Sequence, residues 1–237
     1  MGVNILFPPT DNKLVRQALN YAADRKRFTE QVFKSIVPPM ALPWEENSLA
    51  YEASKVNAYQ FDLDKAKSLL NQAGVTSAEL DFLASPNAPE FDLISQIYQN
   101  DLAKIGLKLN IVRLEQAAWL DQVNNRKYKG FWASTMAVNT GEPVSGLSLG
   151  RATDPNSNNQ GFKDERYTSL INEAASEPDP AKRRALYSQI NDILLDESFV
   201  MCLTVYPPKM VTSSKVHDVI TPTSLPTAFM LTDVWLD

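Results

Sequence analysis

The chain has 237 residues, of which 44% are hydrophobic and 22% are charged, a composition that is ordinary for a globular protein. Its 23 Lys and Arg residues against 28 Asp and Glu residues give a net charge of −5, so it has no general electrostatic reason to bind nucleic acid or anionic lipid. The single cysteine, Cys202, excludes an intramolecular disulfide and a cysteine-based metal cluster.

Two helices are predicted near the N-terminus. Asp11 and Asn12 are candidate caps for a helix whose apolar residues recur three and four positions apart, and Asp24 is the candidate cap of a second helix. Residues 37–61 then form a long loop rich in Pro, Asn and Ser. Within that loop we expect Trp44, which precedes two glutamates, to be exposed or to hold a ligand.

The next stretch predicts a strand, a helix and a second strand in that order. A short helix between Asp62 and Gly74 comes first, followed by the alternating sequence ELDFLAS. A helix from Pro89 to Gly106 leads into a second alternating sequence, LKLNIVRL. This order predicts a parallel crossover unit.

The remaining elements complete a domain of mixed α/β (α+β) class. The sequence QAAWLDQVNNRKY predicts a helix, GFWASTM a strand, and residues 141–161 a second long loop. Two helices follow, the first running from Asp164 and the second capped by Asp179, and SFVMCLTVY then predicts a central strand. The tail from Ser213 carries apolar residues that have no evident place in a self-contained domain.

Motifs of catalysis and cofactor binding are absent from the sequence. The single histidine, His217, has no nucleophile or acidic partner in an identifiable motif, and the eight glycines contain no phosphate-binding spacing. We therefore predict no enzyme activity, no cofactor and no metal site. Nothing in the sequence brings together two of the carboxylates that a glycosidase would pair: Glu45, Glu46, Glu115 and Asp121.

The strand GFWASTM offers the best material for binding. Trp132, Ser134 and Met136 share one of its faces. If that face borders a cleft, an indole and a thioether suit a small-molecule site; alternatively, both faces of the strand belong to the core. Trp119 lies on the preceding helix among small and apolar neighbours, which favours a core position.

Four stretches in order resemble the family 5 extracellular solute-binding proteins, the peptide, oligosaccharide and nickel receptors of bacterial ABC importers. The stretch FPPTDNKLVRQALNYAADR is similar to the family's D-x-x-V-R-Q-A-L-x-x-A-x-D-R pattern, and QNDLAKIGLKLNI to its L-x-x-x-G-I-x-V pattern. FDLDKAKSLLNQAG lies between these two stretches, and residues 158–198 are similar to the family's D-x-L-I and D-x-x-x-R-x-x-L-Y run. The resemblance covers nearly the whole chain.

The resemblance implies the C-terminal lobe of a two-lobed periplasmic binding protein, with a mixed sheet and packed helices. We expect residues 1–220 to form the ligand-binding lobe and residues 221–237 to return to an N-terminal lobe that precedes Asn4 and is missing here. The apolar residues of that tail are then expected to be poorly buried.

The implied function is the substrate-binding component of an ABC importer, which closes two lobes around a small solute. Its partners would be a short-peptide or other small-molecule ligand, a permease in the membrane and the N-terminal lobe, and its location the periplasm. Two alternatives stay open: the sensor lobe of a cytosolic transcription regulator, and a carboxylate-based glycosidase.

The resemblance also places the ligand. Aligning on Glu142 and Pro143 puts Asn139 where peptide-binding members hold an aspartate for the α-amino group of the peptide. An amide lacks the full negative charge that pairs with an ammonium group, so sugars, opines, modified peptides and metal chelates stay open beside peptides. The candidate ligand-binding residues are Gln116, Trp119, Trp132, Ser134, Met136, Asn139 and Glu142.

Overall fold

The computed structural model describes residues 1–135, 142–205, 212–219 and 232–237. Helices in these ranges are α1 (Lys13–Tyr21), α2 (Arg25–Gln31), α3 (Leu63–Gln72), α4 (Glu90–Lys104), α5 (Gln116–Asn124), α6 (Pro143–Leu149), α7 (Glu165–Ser176) and α8 (Pro180–Glu197). Strands are β1 (Gly2–Val3), β2 (Ala78–Ala84), β3 (Leu107–Val112), β4 (Gly130–Ala133), β5 (Val216–His217) and β6 (Trp235–Leu236).

Capping residues set the start of five helices at the positions that the sequence predicts. Each cap accepts a hydrogen bond from a backbone N–H of the first helical turn, which has no partner inside the helix. At α7, for example, Asp164 accepts from the N–H of Tyr167 at 2.7 Å. The five capping side chains are Asn12, Asp24, Asp62, Asp164 and Asp179.

A mixed four-stranded sheet has the order β1-β4-β2-β3. β2 runs parallel to both β3 and β4, so the predicted crossover through α4 is confirmed, and β1 pairs with β4 in the antiparallel sense. Gly130, the first residue of β4, has no room for a side chain, because a Cβ there would collide with the backbone of Asp81 on β2. The mixed α and β class is therefore confirmed.

One face of the sheet packs against α1, α3 and α4. Phe82 on β2 and Phe131 on β4 are fully buried there, and Tyr98 of α4 meets the Phe131 ring edge-on with centroids 5.6 Å apart. The Tyr98 hydroxyl donates to the carbonyl of Leu19 at 2.7 Å, which ties α4 to α1.

Several residues of the loop 37–61 are buried against α7 and α8: Met40, Leu42, Trp44, Ala50 and Val56. The expectation that Trp44 is exposed or holds a ligand is wrong: its side chain is 1% exposed, and its indole N–H donates to Asn191 of α8 at 2.6 Å. Because Asn191 supplies a buried acceptor, the indole is paired inside the core.

Two further sequence expectations fail in the second half of the chain. Residues 199–203 run extended and exchange backbone hydrogen bonds with Met1 and Val3, but they form only isolated bridges and not the predicted central strand. The predicted loop of residues 141–161 contains α6. Pro143 starts this helix, since its fixed φ suits the first helical position.

The end of the chain forms the small antiparallel pair β5–β6. Trp235 is 50% exposed and Leu236 72% exposed, as expected for the apolar tail, while residues 220–231 lie outside the described part. The Trp235 ring stacks on His217 with centroids 4.1 Å apart, so the single histidine packs against the tail.

Candidate functional site

Three parallel strands end at one edge of the four-stranded sheet. β2, β3 and β4 finish at Ala84, Val112 and Ala133, and the loops that follow them lead towards α4, α5 and α6. Open sheets with parallel strands bind ligands outside the carboxyl ends of the strands. We call residues 85–88, 113–116 and 134–135, which follow these three strand ends, the sheet edge.

A polar bridge links two of the loops at the sheet edge. The amide of Asn87 donates to Oε1 of Gln116, the first residue of α5, at 3.1 Å. Ser85 fixes the loop below it, because its backbone N–H bonds the carbonyl of Ala133 at 2.9 Å and its carbonyl accepts from the N–H of Ala88. Asn87 is exposed and Gln116 half-buried, so both amides stand at the surface of the sheet edge.

The third strand adds two hydroxyl groups to the same edge. Ser134 is half-buried and Thr135 exposed, and the Ser134 hydroxyl donates to the carbonyl of Thr135 at 3.2 Å. Met136 and Asn139, which follow them, lie outside the described residues. The described part of the sheet edge therefore presents amides and hydroxyls, which both donate and accept hydrogen bonds. It also carries two exposed charged residues: Arg113, which pairs with Asp92, and Glu115.

The two candidate tryptophans lie in the core immediately before the sheet edge. Trp132 is 1% and Trp119 3% exposed, and their rings meet edge-on with centroids 5.9 Å apart. The Trp119 indole N–H donates to the carbonyl of Leu83 at 3.1 Å. Since Phe131 is also fully buried, both faces of β4 belong to the core, and the core position expected for Trp119 is confirmed.

Glu142 is held by α8. Its carboxylate accepts from the guanidinium of Arg183 and from the hydroxyl of Tyr187. Burial, and next the hydrogen bond to Glu142, raise the pKa of Tyr187 above its ordinary value. The carboxylate is thus paired with the Arg183 guanidinium and the Tyr187 hydroxyl, and these bonds anchor the start of α6 to α8.

Sequence reasoning missed Asn87 and Ser85. Both directly follow a strand, in the segment ASPNAP, and that position is the available signal because β2 and β3 are parallel. The link of Asn87 to Gln116 depends on the register of two strands whose paired residues are 29 positions apart in the chain, as in the pairs Ala78 with Leu107 and Leu80 with Leu109.

Metal clusters and membrane-spanning helices are not found in the described residues. No cluster of three or more His, Cys, Asp or Glu side chains there is arranged to hold a metal ion. No helix in the same ranges is long and apolar enough to cross a membrane. Glu45 and Glu115 are both exposed, the first beside the buried Trp44 and the second at the start of α5.

Residues 1–158 match the family model described as bacterial extracellular solute-binding proteins, family 5 Middle. The chain belongs to this family. The fold agrees, because the structure of HbpA2 from Haemophilus parasuis superposes on the whole chain with a TM-score of 0.79 and 25% sequence identity, the match covering 47% of that chain. The α+β fold class, which the chain shares with two-lobed periplasmic binding proteins, is thereby confirmed.

Curated relatives in the family are more than twice as long as the matched segment. Heme-binding protein A of Haemophilus influenzae is 32% identical over 213 residues, which is 83% of this chain and 38% of the relative. Di/tripeptide-binding protein 1 of Pseudomonas aeruginosa is 28% identical over 228 residues, which is 92% of this chain and 42% of the relative. The chain thus spans about two fifths of the length of these relatives.

Proposed function

We propose that this chain is one lobe of the substrate-binding component of a bacterial ABC importer, and that it captures a small, peptide-like solute at the sheet edge. The observation that carries the proposal is the convergence of three parallel strand ends, which present hydrogen-bonding side chains at one edge of the sheet. Asn87, Gln116, Ser134 and Thr135 are the neutral side chains among them, and Arg113 and Glu115 are the charged ones. Ligands of sheets with this topology bind at such an edge.

The names of the relatives support a binding role. One relative is named for di- and tripeptides and another for haem. The family model that matches the first two thirds of the chain describes solute-binding proteins. A receptor of this kind encloses its solute between two lobes and passes it to a permease at the membrane. The second lobe, the permease and a periplasmic location are therefore part of the proposal, as is a return of residues 221–237 to that second lobe.

The proposed contacts form two groups. Gln116 and Ser134 contact the solute from the described part of the sheet edge, and Met136 and Asn139 contact it from the segment that continues β4. Trp119, Trp132 and Glu142 complete the candidate set from behind this surface: the indoles back the strand ends, and Glu142 ties the end of the segment to α8.

The amide of Asn139 determines which chemical group of the solute can bind at this subsite. A neutral amide pairs with hydroxyls, carbonyls or carboxylates, and it gives up the charge-assisted bond that an aspartate makes to an ammonium group. We therefore expect the solute to lack a free α-amine at this subsite. The glycosidase alternative has no paired carboxylates at the sheet edge in the described residues to support it.

The test is a titration calorimetry panel on the full-length gene product. The panel contains di- and tripeptides, each with a free and with an acetylated α-amine, and haem. We expect the acetylated peptides to bind at least as tightly as the free ones. Failure of every member to bind would contradict a peptide-like solute, and tighter binding of the free-amine forms would contradict the role given to Asn139.

Asn139→Asp adds a direct check of that residue. The aspartate should strengthen binding of the free-amine peptides about ten-fold, which corresponds to about 1–2 kcal/mol. Asn57→Asp, in an exposed loop position, is the matched control for the added charge and should change no affinity. Equal affinities for Asn139→Asp and the parent protein would remove Asn139 from the site.

A further inference from the structure

Two buried polar side chains lie together without hydrogen-bond partners. Trp132 on β4 is 1% exposed and Gln160 is 0% exposed. The indole Nε1 and both polar atoms of the Gln160 carboxamide make no hydrogen bond with any residue that the structure describes. Buried polar atoms in native proteins are nearly always paired, so three unpaired atoms on two side chains require a physical explanation.

Gly2 fixes how close the two side chains are. It pairs with Trp132 across β1 and β4, and a side chain at position 2 would collide with both Nε1 of Trp132 and Nε2 of Gln160. The two nitrogens therefore lie side by side against the same Cα atom. Because Gly2 has no side chain, the Trp132 indole and the Gln160 carboxamide can both occupy the space beside its Cα atom.

Nε1 of Trp132 and Nε2 of Gln160 are both donors and cannot bond each other, but a rotation of the Gln160 carboxamide would place an acceptor beside the indole N–H. An indole nitrogen only donates, whereas a carboxamide carries a donor at one end and an acceptor at the other. A half-turn of the Gln160 carboxamide exchanges Nε2 with Oε1 and requires no movement of the backbone. We infer that the indole N–H of Trp132 donates to Oε1 of Gln160, and that Gln160 is a positioning residue for this tryptophan.

The bond would join the loop before α7 to β4, beside the sheet edge. The backbone carbonyl of Gln160 accepts from the N–H of Ile5 at 3.0 Å, which fixes residue 160 beside the segment that follows β1. On the other side, the Trp132 ring packs edge-on against Trp119, whose indole bonds Leu83 near the end of β2. Contacts therefore run from Gln160 through two indoles to a strand end; their relevance to solute binding rests on the proposed function.

A double-mutant cycle on this chain tests the bond. Gln160→Met removes the amide at similar volume, and Trp132→Phe removes the indole N–H. With the bond present, Gln160→Met strands a buried N–H and lowers the urea midpoint, but in the Trp132→Phe background this loss disappears. If Gln160→Met has the same effect in both backgrounds, the two side chains are not coupled and the inference is overturned.

The indole resonance of Trp132 gives a second readout that a general loss of stability would not move. We expect its ¹⁵N-labelled indole proton, assigned by its loss in Trp132→Phe, to shift upfield and to exchange faster in Gln160→Met. The Trp119 indole, which bonds a backbone carbonyl, is the internal control and should stay unchanged. An unmoved Trp132 signal would overturn the inference, whereas failure of all solutes to bind would overturn only the proposed function.

Discussion

At the scale of single residues, buried amides hold the parts of this chain that have no regular secondary structure. Asn191 of α8 is fully buried, and its amide donates to the carbonyl of Ala50 at 2.8 Å and to Glu52 at 2.9 Å while its oxygen accepts from Trp44. One side chain thus pairs three groups of the loop of residues 37–61. Without these bonds the loop would bury unpaired polar atoms, which is costly.

Replacing Asn191 should therefore loosen this loop. Asn191→Leu leaves the Trp44 indole and the Ala50 carbonyl buried without partners, so the free energy of unfolding should fall by roughly 2–4 kcal/mol. Urea denaturation followed by tryptophan fluorescence measures the change. Asn172→Leu, at an exposed position of α7, is the matched control and should have an effect near zero; a loss of similar size in both variants would contradict the role of Asn191.

Tyr98 predicts how stability depends on alkaline pH. Burial raises the pKa of Tyr98 above its ordinary value of 10.0. Above about pH 10 the unfolded chain releases the phenol proton while the folded chain retains it, so stability falls as pH rises, by about 1.4 kcal/mol per pH unit for one such proton. Below pH 10 both states hold the proton and this contribution does not vary.

Tyr98→Phe should reduce that alkaline slope. We expect urea midpoints between pH 9 and 11.5 to fall less steeply in the variant, in addition to a constant loss of about 1 kcal/mol from the missing bond to Leu19. Tyr51→Phe, at a half-buried position, is the comparison. An unchanged slope in Tyr98→Phe would show that Tyr98 ionises equally in both states.

At the scale of elements, helices were predictable because their signals are local. Asp164 illustrates this: it stands before an apolar stripe, and its side chain does accept from the N–H of Tyr167. Strands were less predictable because their pairing is not local. Residues 199–204 are as apolar as a central strand, yet they form only isolated bridges, since their neighbours in space are the two-residue strand β1 and the loop at Pro39.

The cap at Asp164 gives a direct test at this scale. Asp164→Ala removes the acceptor and should lower the free energy of unfolding by about 1 kcal/mol, whereas Asp164→Asn keeps an acceptor and should lose only part of it. Thermal or urea denaturation of the parent protein, Asp164→Asn and Asp164→Ala measures whether stability falls in that order. Equal losses in both variants would mean that the capping bond contributes little.

The site was predictable from the sequence only in part. Ser134 lies in the second half of the predicted strand GFWASTM, so its place near the carboxyl end of β4 could be expected from chain order, although β4 ends one residue before it. The burial of Trp132 could not, because it depends on β4 lying between β1 and β2 with α5 packed over it. The partners of Glu142 could not be foreseen either, since Arg183 and Tyr187 are 41 and 45 residues further along the chain.

At the scale of the whole molecule, the proposal is that the chain is one lobe of a binding protein. α1, α3 and α4 cover one face of the sheet, α5 covers the carboxyl half of the other, and the strand ends between them present polar side chains. The chain spans about two fifths of the length of its curated relatives. Solute pockets bury most of the surface of their ligand, and one lobe alone provides only one wall of such a pocket.

The dissociation constant of one solute for the full-length protein and for this chain is the most direct test of that account. By titration calorimetry under identical conditions, the full-length protein should bind the solute at least one hundred-fold more tightly than this chain. That ratio corresponds to roughly 3 kcal/mol of binding free energy, which is a modest part of what the contacts with a second wall should contribute. Gln116→Ala should weaken binding by the full-length protein. Equal dissociation constants for the two proteins would contradict the claim that this chain is one of two lobes that enclose the solute.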